Sequence, residues 1–490
     1  MQVAVNRKNL KFSPDASRVI ARFLYTNEER AVNIIRSVLN MSANEATVSL
    51  NQALRDYSMR HRNISKIFER HYNKIAPLIP QLKIEPESLS IPQKILIGSY
   101  FTMEYSIESA AFFNPSMVEH PDQSDTGTDE KRVIISFRAT GEGHISSIVF
   151  RTGVLDKKNN LKLEPVGNML EEAEHIQRHI YHKDSFSAKL EEMENFRDLI
   201  PSGLILDKLN DTFSYGELRK CIADAKKALH LAADKELLFN QIMWLAMSHY
   251  ELQFSLDTNI SERVIFPVSA NEKNGVEDAR FVKFVEDNGN VNYFATYTAY
   301  NGVTILPKML DTRDFYHFRI VPLNGEIAQN KGMAMFPRKV NGKYAMLCRL
   351  DGFNNYISFS DTINIWREAR LLQEPRFPWE LIQIGNGGSP IETPEGWLVI
   401  THGVGPMREY VLGASLFDLQ NPEKEIGRLK TPLLMPNNEE REGYVPNVVY
   451  TCGSMVHNDD LIIPYAMSDY ASTYATVNLR ELLGELKKSV

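Results

Sequence analysis

The chain has 490 residues and a net charge of −7 with acids and bases interspersed, so neither nucleic acid nor an anionic membrane is expected as its main partner. A hydrophobic fraction of 43% and a charged fraction of 24% describe a globular protein with ample length for a core. Cys221, Cys348 and Cys452 form no CxxC, which argues against a disulfide framework or a zinc site; with no apolar N-terminal segment and no long apolar run, a soluble cytoplasmic protein is expected.

Residues 1 to about 90 read as a helical region. Ser13-Pro14-Asp15 is a helix start signal, and Val19, Ile20, Phe23 and Leu24 follow at helical spacing. Thr26-Asn27-Glu28-Glu29 and Ser42-Ala43-Asn44-Glu45 fit capping boxes. The first leads into the stripe Val32, Ile35, Val38 and Leu39, and a third helical stretch covers roughly 62–75. His61 and His71 stand without other catalytic residue types. The region therefore reads as a docking module packed on the main domain, with a homo-oligomer contact as the alternative.

From about 91 to 490 the texture is β-rich. Short runs separated by turn residues cover Arg132–Arg138, Ile145–Thr152, Arg280–Val285, Tyr293–Tyr300, Tyr344–Leu350, Tyr356–Ser360, Trp397–Ile400, Tyr410–Leu416 and Leu461–Ala466. Such spacing suits a sandwich, barrel or propeller, and at roughly 40–60 residues per four-stranded blade it allows about five blades. A helical insertion is expected at about 167–255, from Asn168–Ile176 and Cys221–Leu229. It carries His175, His179 and His182. A pair four apart would share a helix face, but with no neighbouring Cys or metalloprotease Glu a solvated face is the better reading, and no metal is expected.

The polar clusters fall at strand ends. In Asn274-Gly275-Val276-Glu277-Asp278-Ala279-Arg280 two adjacent carboxylates follow a glycine. Neighbouring side chains of a strand point to opposite faces, so both serve one site only if the backbone twists, which Gly275 permits. One carboxylate is then expected to face the site while the other holds Arg280 or a backbone group; a surface turn with a salt bridge is the plainer alternative. Asn114 and Ser116 lie in a turn after an apolar run. Arg138, Lys331 and Arg349 stand at or near strand ends, His402 precedes a glycine, and Asp469 follows the run from Tyr465. Gly385-Asn386-Gly387-Gly388-Ser389-Pro390 resembles a phosphate loop but leads to a turn rather than a helix, so a dinucleotide site is not supported. Converging on one pocket, these cations would bind an anion.

Taken together the chain resembles glycoside hydrolase family 130, the mannoside phosphorylases and related mannosidases. The resemblance rests on Phe-Asn-Pro-Ser at 113–116, Arg138, Gly-Val-Glu-Asp-Ala-Arg at 275–280, Tyr-Thr-Ala-Tyr at 297–300, Asn-Lys at 330–331, residues 336–349, Gly-Trp-Leu-Val-Ile-Thr-His-Gly-Val at 396–404, Pro-Asn-Val-Val-Tyr at 446–450 and Asp469. It implies a mainly β fold, a five-bladed β-propeller with the site in its central cavity. It implies Asp278 as general acid, Asn114, Ser116, Arg138 and Asp469 at the sugar, and Lys331, Arg349 and His402 at phosphate. Glu277 and Arg280 are grouped with the substrate-binding residues. One departure is Gln383, where many phosphorylases have lysine.

The implied reaction is inverting phosphorolysis of a β-mannoside to α-mannose 1-phosphate, with phosphate as co-substrate and no other cofactor. A glycosidase needs two carboxylates. Phosphate is itself a competent nucleophile, so cations opposite the acid replace the second carboxylate. A hydrolase on the same scaffold and a non-catalytic carbohydrate-binding propeller are the alternatives.

Overall fold

The computed structural model of the chain describes residues 3–488 apart from 168, 177–179, 193–204, 229–238, 240–241, 301 and 303–304. The fold is mainly β. Strands such as Gly396–Val404 and Ala111–Glu119 are buried along nearly their whole length. A strand with both faces apolar needs cover on both sides, and here neighbouring sheets supply it.

Antiparallel meanders follow one another along the chain. Ala111–Glu119, Lys131–Thr140 and Ser146–Leu155 run side by side, as do Gly275–Val285, Val291–Tyr300, Ile305–Thr312 and His317–Pro322. These two sets join into one sheet through the single parallel pair Gly275 and Ser146. A four-stranded sheet follows, Ala334–Met335, Tyr344–Cys348, Asn355–Ser360 and Ala369–Gln373. Next come Gln383–Asn386, Gly396–Val404, Tyr410–Phe417 and Glu425–Arg428, with Ile391–Thr393 beside the second. The last sheet holds Val449–Tyr450, Asp460–Met467 and Ala471–Asn478, and it is completed by Val5–Arg7, with Val5 opposite Val477. The strand Val5–Arg7 therefore belongs with the last sheet, and the region 1–90 is not helical throughout.

Helices occupy most of the remaining N-terminal region: Glu28–Leu39, Ala43–Tyr57, Ile64–Ile75 and Ile91–Tyr100. The box at Ser42 and Glu45 forms reciprocally, whereas the first helix is capped by Asn27 rather than Thr26. Ile35, Val38, Leu50, Tyr72, Ile75, Leu96 and Ile97 meet in one core. The stripes read from the sequence are thus spent mainly on each other. Gly98 lets the fourth helix approach the third, for a Cβ there would lie 1.8 Å from the Phe68 carbonyl oxygen.

The helix expected after Ser13-Pro14-Asp15 is not formed. Asp15 instead accepts from the Ser17 backbone and hydroxyl, closing a turn, and Val19–Phe23 is a strand paired with Thr102–Ser106. β-branched Val19 and Ile20 suit the pairing, and Arg18 at its head is buried. The insertion is helical only in part, at Lys183–Glu192 and Tyr215–Ala228. Glu171–Glu172, Glu174–Ile176 and Ile180–His182 are strands, so His175 and His182 share no helix face; Asn168 and His179 lie outside the described residues. Tyr181, Phe186, Phe213, Leu218 and Leu245 give the insertion a core of its own.

A buried ion triad fastens the N-terminal segment to the sheets. Glu108 accepts from Arg18 Nε and from Arg151 Nη2, each at 2.7 Å, and Arg18 also donates to the Gly167 and Ser261 carbonyls. Removing the shared carboxylate leaves two buried guanidinium groups without a counter-charge, which typically costs about 3–5 kcal/mol. Glu108→Ala is expected to lower unfolding stability by that amount in a denaturant titration. A loss below about 1 kcal/mol would show the triad to be incidental.

Candidate active site

Asp278 reaches the site because its strand is irregular. Gly275–Val285 pairs with Val291–Tyr300, but the register shifts between Glu277 and Arg280, and Asp278 has φ +57°. The strand before it in space behaves alike: Ala111–Glu119 shifts between Phe113 and Ser116, with Asn114 at φ +51°. A bulge inserts a residue into one strand and re-aims its side chain. Asn and Asp tolerate this left-handed conformation better than most residues do. The two bulges are joined, for Asn114 Nδ2 donates to Asp278 Oδ1 at 2.6 Å. The twist expected from Gly275 thus sits at Asp278 itself.

Glu277 does not hold Arg280, contrary to the sequence expectation. It accepts from Arg138 Nη2 and from Lys331 Nζ, both at 2.8 Å, while Arg138 Nη1 lies 3.4 Å from Asp278 Oδ1 and its Nε donates to Ser146. Arg280 instead donates to the carbonyl and side-chain oxygens of Asn386 at 3.1 and 2.9 Å, and to Tyr450 Oη at 2.7 Å. The glycine-rich loop is therefore anchored on the strand that carries Asp278.

A cavity of about 220 Å³ is lined by Asn114, Arg138, Asp278, Arg280 and Asp469, and by Lys331, Arg349, His402 and Gln383, which lie on or beside the sheets of residues 334–373 and 383–428. Eight of the ten candidate residues line it; Ser116 and Glu277 do not. Ser116 is fully buried and its Oγ accepts the Phe281 N–H at 3.1 Å, so it braces the bulge from behind rather than facing a ligand. Arg408, Tyr410 and Tyr450 line the cavity and were not singled out from the sequence. Tyr450 stood in a quoted motif without a role, and the single arginine after Pro406-Met407 carried no pattern.

The two carboxylates in the cavity are driven apart. Burial raises Asp278, but the charges of Arg138 and Lys331 and the Asn114 hydrogen bond outweigh it and hold its pKa below the usual range. Burial, together with the charge of Asp278, lifts Asp469 to about 6. Arg138 is held charged by Asp278 and Glu277 against its own burial.

Around Arg349 the positive charge is less compensated. Among the described residues Arg349 has no ion-pair partner, and its buried Nε is without a hydrogen-bond acceptor. Its Nη1 donates to the Gln383 amide oxygen, while the Gln383 N–H reaches the Gly352 carbonyl at 3.2 Å. Both ring nitrogens of His402 face oxygen acceptors, the Asn386 carbonyl at 3.1 Å and the Gln383 amide at 3.0 Å, an arrangement suited to an imidazolium. Burial, then the charges of Arg349 and Arg280, nevertheless push its pKa well below the ordinary value. An anion beside Arg349 would relieve that opposition. Gly385 makes room for the ring, since a Cβ there would stand 2.5 Å from His402 Cε1.

Among the described residues no cluster of three or more His, Cys, Asp or Glu could hold a metal, and no helix is long and apolar enough to cross a membrane. A larger cavity of about 530 Å³ sets Arg62, Lys66 and Arg70 against Glu171, Glu172 and Glu174. Its charges join the helices to the sheets: Arg70 faces Glu172, whose burial raises its pKa against the charges of Arg70, Arg22 and Lys74.

A family model described as beta-1,4-mannooligosaccharide phosphorylase, that of glycoside hydrolase family 130, matches residues 244–488, half of the chain. A 1,2-beta-oligomannan phosphorylase of Thermoanaerobacter sp. (strain X514) is 39% identical over 156 residues, 31% of this chain and 52% of that protein. A beta-1,2-mannobiose phosphorylase of Listeria innocua serovar 6a is 29% identical over 243 residues, 48% of this chain and 65% of that protein. The chain thus spans between half and two-thirds of the length of these relatives. The solved structure of the Listeria innocua beta-1,2-mannobiose phosphorylase in complex with beta-1,2-mannobiose superposes with a TM-score of 0.46 at 21% identity, covering 78% of this chain and 93% of that one.

Proposed function

The chain belongs to glycoside hydrolase family 130, and from that premise we propose that it is an inverting β-mannoside phosphorylase that releases α-mannose 1-phosphate. The observation that carries this reading is the asymmetry of the cavity. Asp278 and Asp469 are the carboxylates among the described lining residues, whereas the lining residues contributed by the sheets of residues 334–373 and 383–428 include Arg349 and no carboxylate. A hydrolase needs a carboxylate there to activate water, whereas a phosphorylase needs positive charge to receive a dianion. The curated relatives named as phosphorylases of mannosides support the same reading.

The fold is read as a five-bladed propeller. The two meanders joined only through Gly275 and Ser146 count as separate blades, and the three remaining large sheets supply the others. Phosphate is the co-substrate and no further cofactor takes part. A cytoplasmic location suits a reaction whose co-substrate and product are phosphates.

Asp278 delivers its proton to the glycosidic oxygen through a hydroxyl of the bound mannose. Phosphate held by Lys331, Arg349 and His402 attacks the anomeric carbon from the opposite side, and the bond to the leaving sugar breaks. The acid must be protonated, while Arg138 and Lys331 favour its ionised form. Phosphate arriving against Lys331 and Arg349 weakens that field and raises the proton affinity of Asp278 when it is needed. Gln383 favours a hydrolytic reading in one respect, because its oxygen occupies a hydrogen of Arg349 that phosphate would otherwise receive. The test is incubation with β-mannobiose isomers with and without phosphate. Mannose 1-phosphate formed only with phosphate supports the proposal; equal release of free mannose in its absence refutes it.

Asp469 gives the reaction a pH dependence. Its ionised carboxylate accepts sugar hydroxyls, so mannoside affinity should rise as pH increases through about 6 and then level. Stability runs the other way. The folded pKa is raised, so the protonated form favours the fold, and that contribution is lost as pH rises through about 6. Asp469→Asn is expected to flatten the rising limb and to raise Tm at neutral pH. A limb near pH 6 unchanged in that variant would remove Asp469 from the role.

A further inference from the structure

We propose that Tyr444 and His144 form a binding surface for the second hexose ring of the leaving oligosaccharide, so that two-ring acceptors are preferred to a single sugar; this rests on the phosphorylase reading above. Tyr444 is 65% exposed, and its ring lies 5.7 Å from that of His144, itself exposed, with the planes inclined at 32°. Neither ring contributes to a core. The two come from different loops, His144 just before Ser146–Leu155 and Tyr444 just before Val449–Tyr450, and they meet next to Val445, which lines the cavity. His144 is in the loop between Lys131–Thr140 and Ser146–Leu155, the strands whose ends carry Arg138 and its partner Ser146. The segment of Tyr444 is fixed beside the turn that carries Asp469: its neighbour Val445 lines the cavity and donates its N–H to the Ser468 carbonyl at 3.0 Å. Gly443 is packed so closely on Ser468 that a Cβ would fall 2.4 Å from the Ser468 oxygen.

The side of the cavity decides the occupant. Inversion places nucleophile and leaving group on opposite faces of the anomeric carbon. With phosphate at Arg349 and His402, the leaving sugar departs on the side of the acid Asp278, and the aromatic pair adjoins that side through Ser146, paired with Gly275 of the Asp278 strand, and through Val445, bonded to Ser468. Amphipathic rings cover the apolar C–H face of a hexose while their polar atoms stay in water. A pair serving only to staple two loops would have no bearing on acceptor length.

The measurement is made in the synthetic direction with mannose 1-phosphate as donor and mannose or β-mannobiose as acceptor. In Tyr444→Ala the KM for mannobiose should rise about tenfold more than that for mannose, with the KM for mannose 1-phosphate held and Tyr444→Phe close to wild type. An equal change for both acceptors, or none, overturns the proposal. Calorimetric titration of wild type and Tyr444→Ala with β-mannobiose and β-mannotriose gives a second reading that needs no turnover. Unchanged affinity for both sugars would overturn the surface even if the wild type proved to be a hydrolase. Absence of phosphate-dependent turnover in the wild type, with the affinity difference present, would instead remove the phosphorylase reading alone.

Discussion

Asp278→Asn is expected to reduce kcat by about 10²–10⁴-fold, the usual contribution of a positioned general acid, while the fold and mannoside affinity stay close to wild type. The substitution is mild in structural terms. Asn is well tolerated at φ +57°, and its carbonyl oxygen can still accept from Asn114. Arg138 keeps its 2.8 Å pair with Glu277 and is not stranded. What is lost is the transferable proton. Turnover above about a tenth of wild type would take Asp278 out of the acid role, as would an equally large fall in Tm, which would show the carboxylate to be structural.

The strand-end polar clusters were legible in the sequence because each is a short motif at the end of an apolar run. Their convergence was readable only through the family resemblance, since contacts such as Asn114 with Asp278 span more than 160 residues. The partner of Glu277 was misread for a local reason. Spacing suggested Arg280, but the bulge at Asp278 sends Arg280 towards Asn386 and Tyr450 and turns Glu277 towards Arg138 and Lys331. Ser116 looked like a ligand-facing residue of a turn, yet the register shift after Phe113 buries it. Positive φ at an aspartate is a tertiary outcome with no signature in the chain. The stretch 19–24 failed differently. Four apolar residues fit two periodicities, and pairing with Thr102–Ser106, some 80 residues away, decided for the strand.

Arg349→Ala is expected to raise the phosphate KM by about ten- to a hundredfold with a smaller change in mannoside affinity. Removing one charge-assisted hydrogen bond typically costs about 1.5–3 kcal/mol, and each 1.4 kcal/mol is a factor of ten. Of the two cations expected at phosphate, Arg349 has more to give to an anion than Lys331. Lys331 is committed to Glu277, and Arg138 to Glu277 and Asp278, whereas Arg349 makes no ion pair among the described residues and leaves Nε without an acceptor. Among the described residues its competitor is the neutral Gln383 amide, which phosphate can displace at modest cost. The variant also frees His402 from a neighbouring positive charge that lowers its pKa, so part of the lost attraction should return at acid pH as the ring takes up a proton. The phosphate KM of Arg349→Ala should therefore fall more steeply with decreasing pH than that of wild type. Equal losses in phosphate and mannoside affinity would place Arg349 at the sugar instead, and an unchanged phosphate KM would move the nucleophile away from this residue altogether.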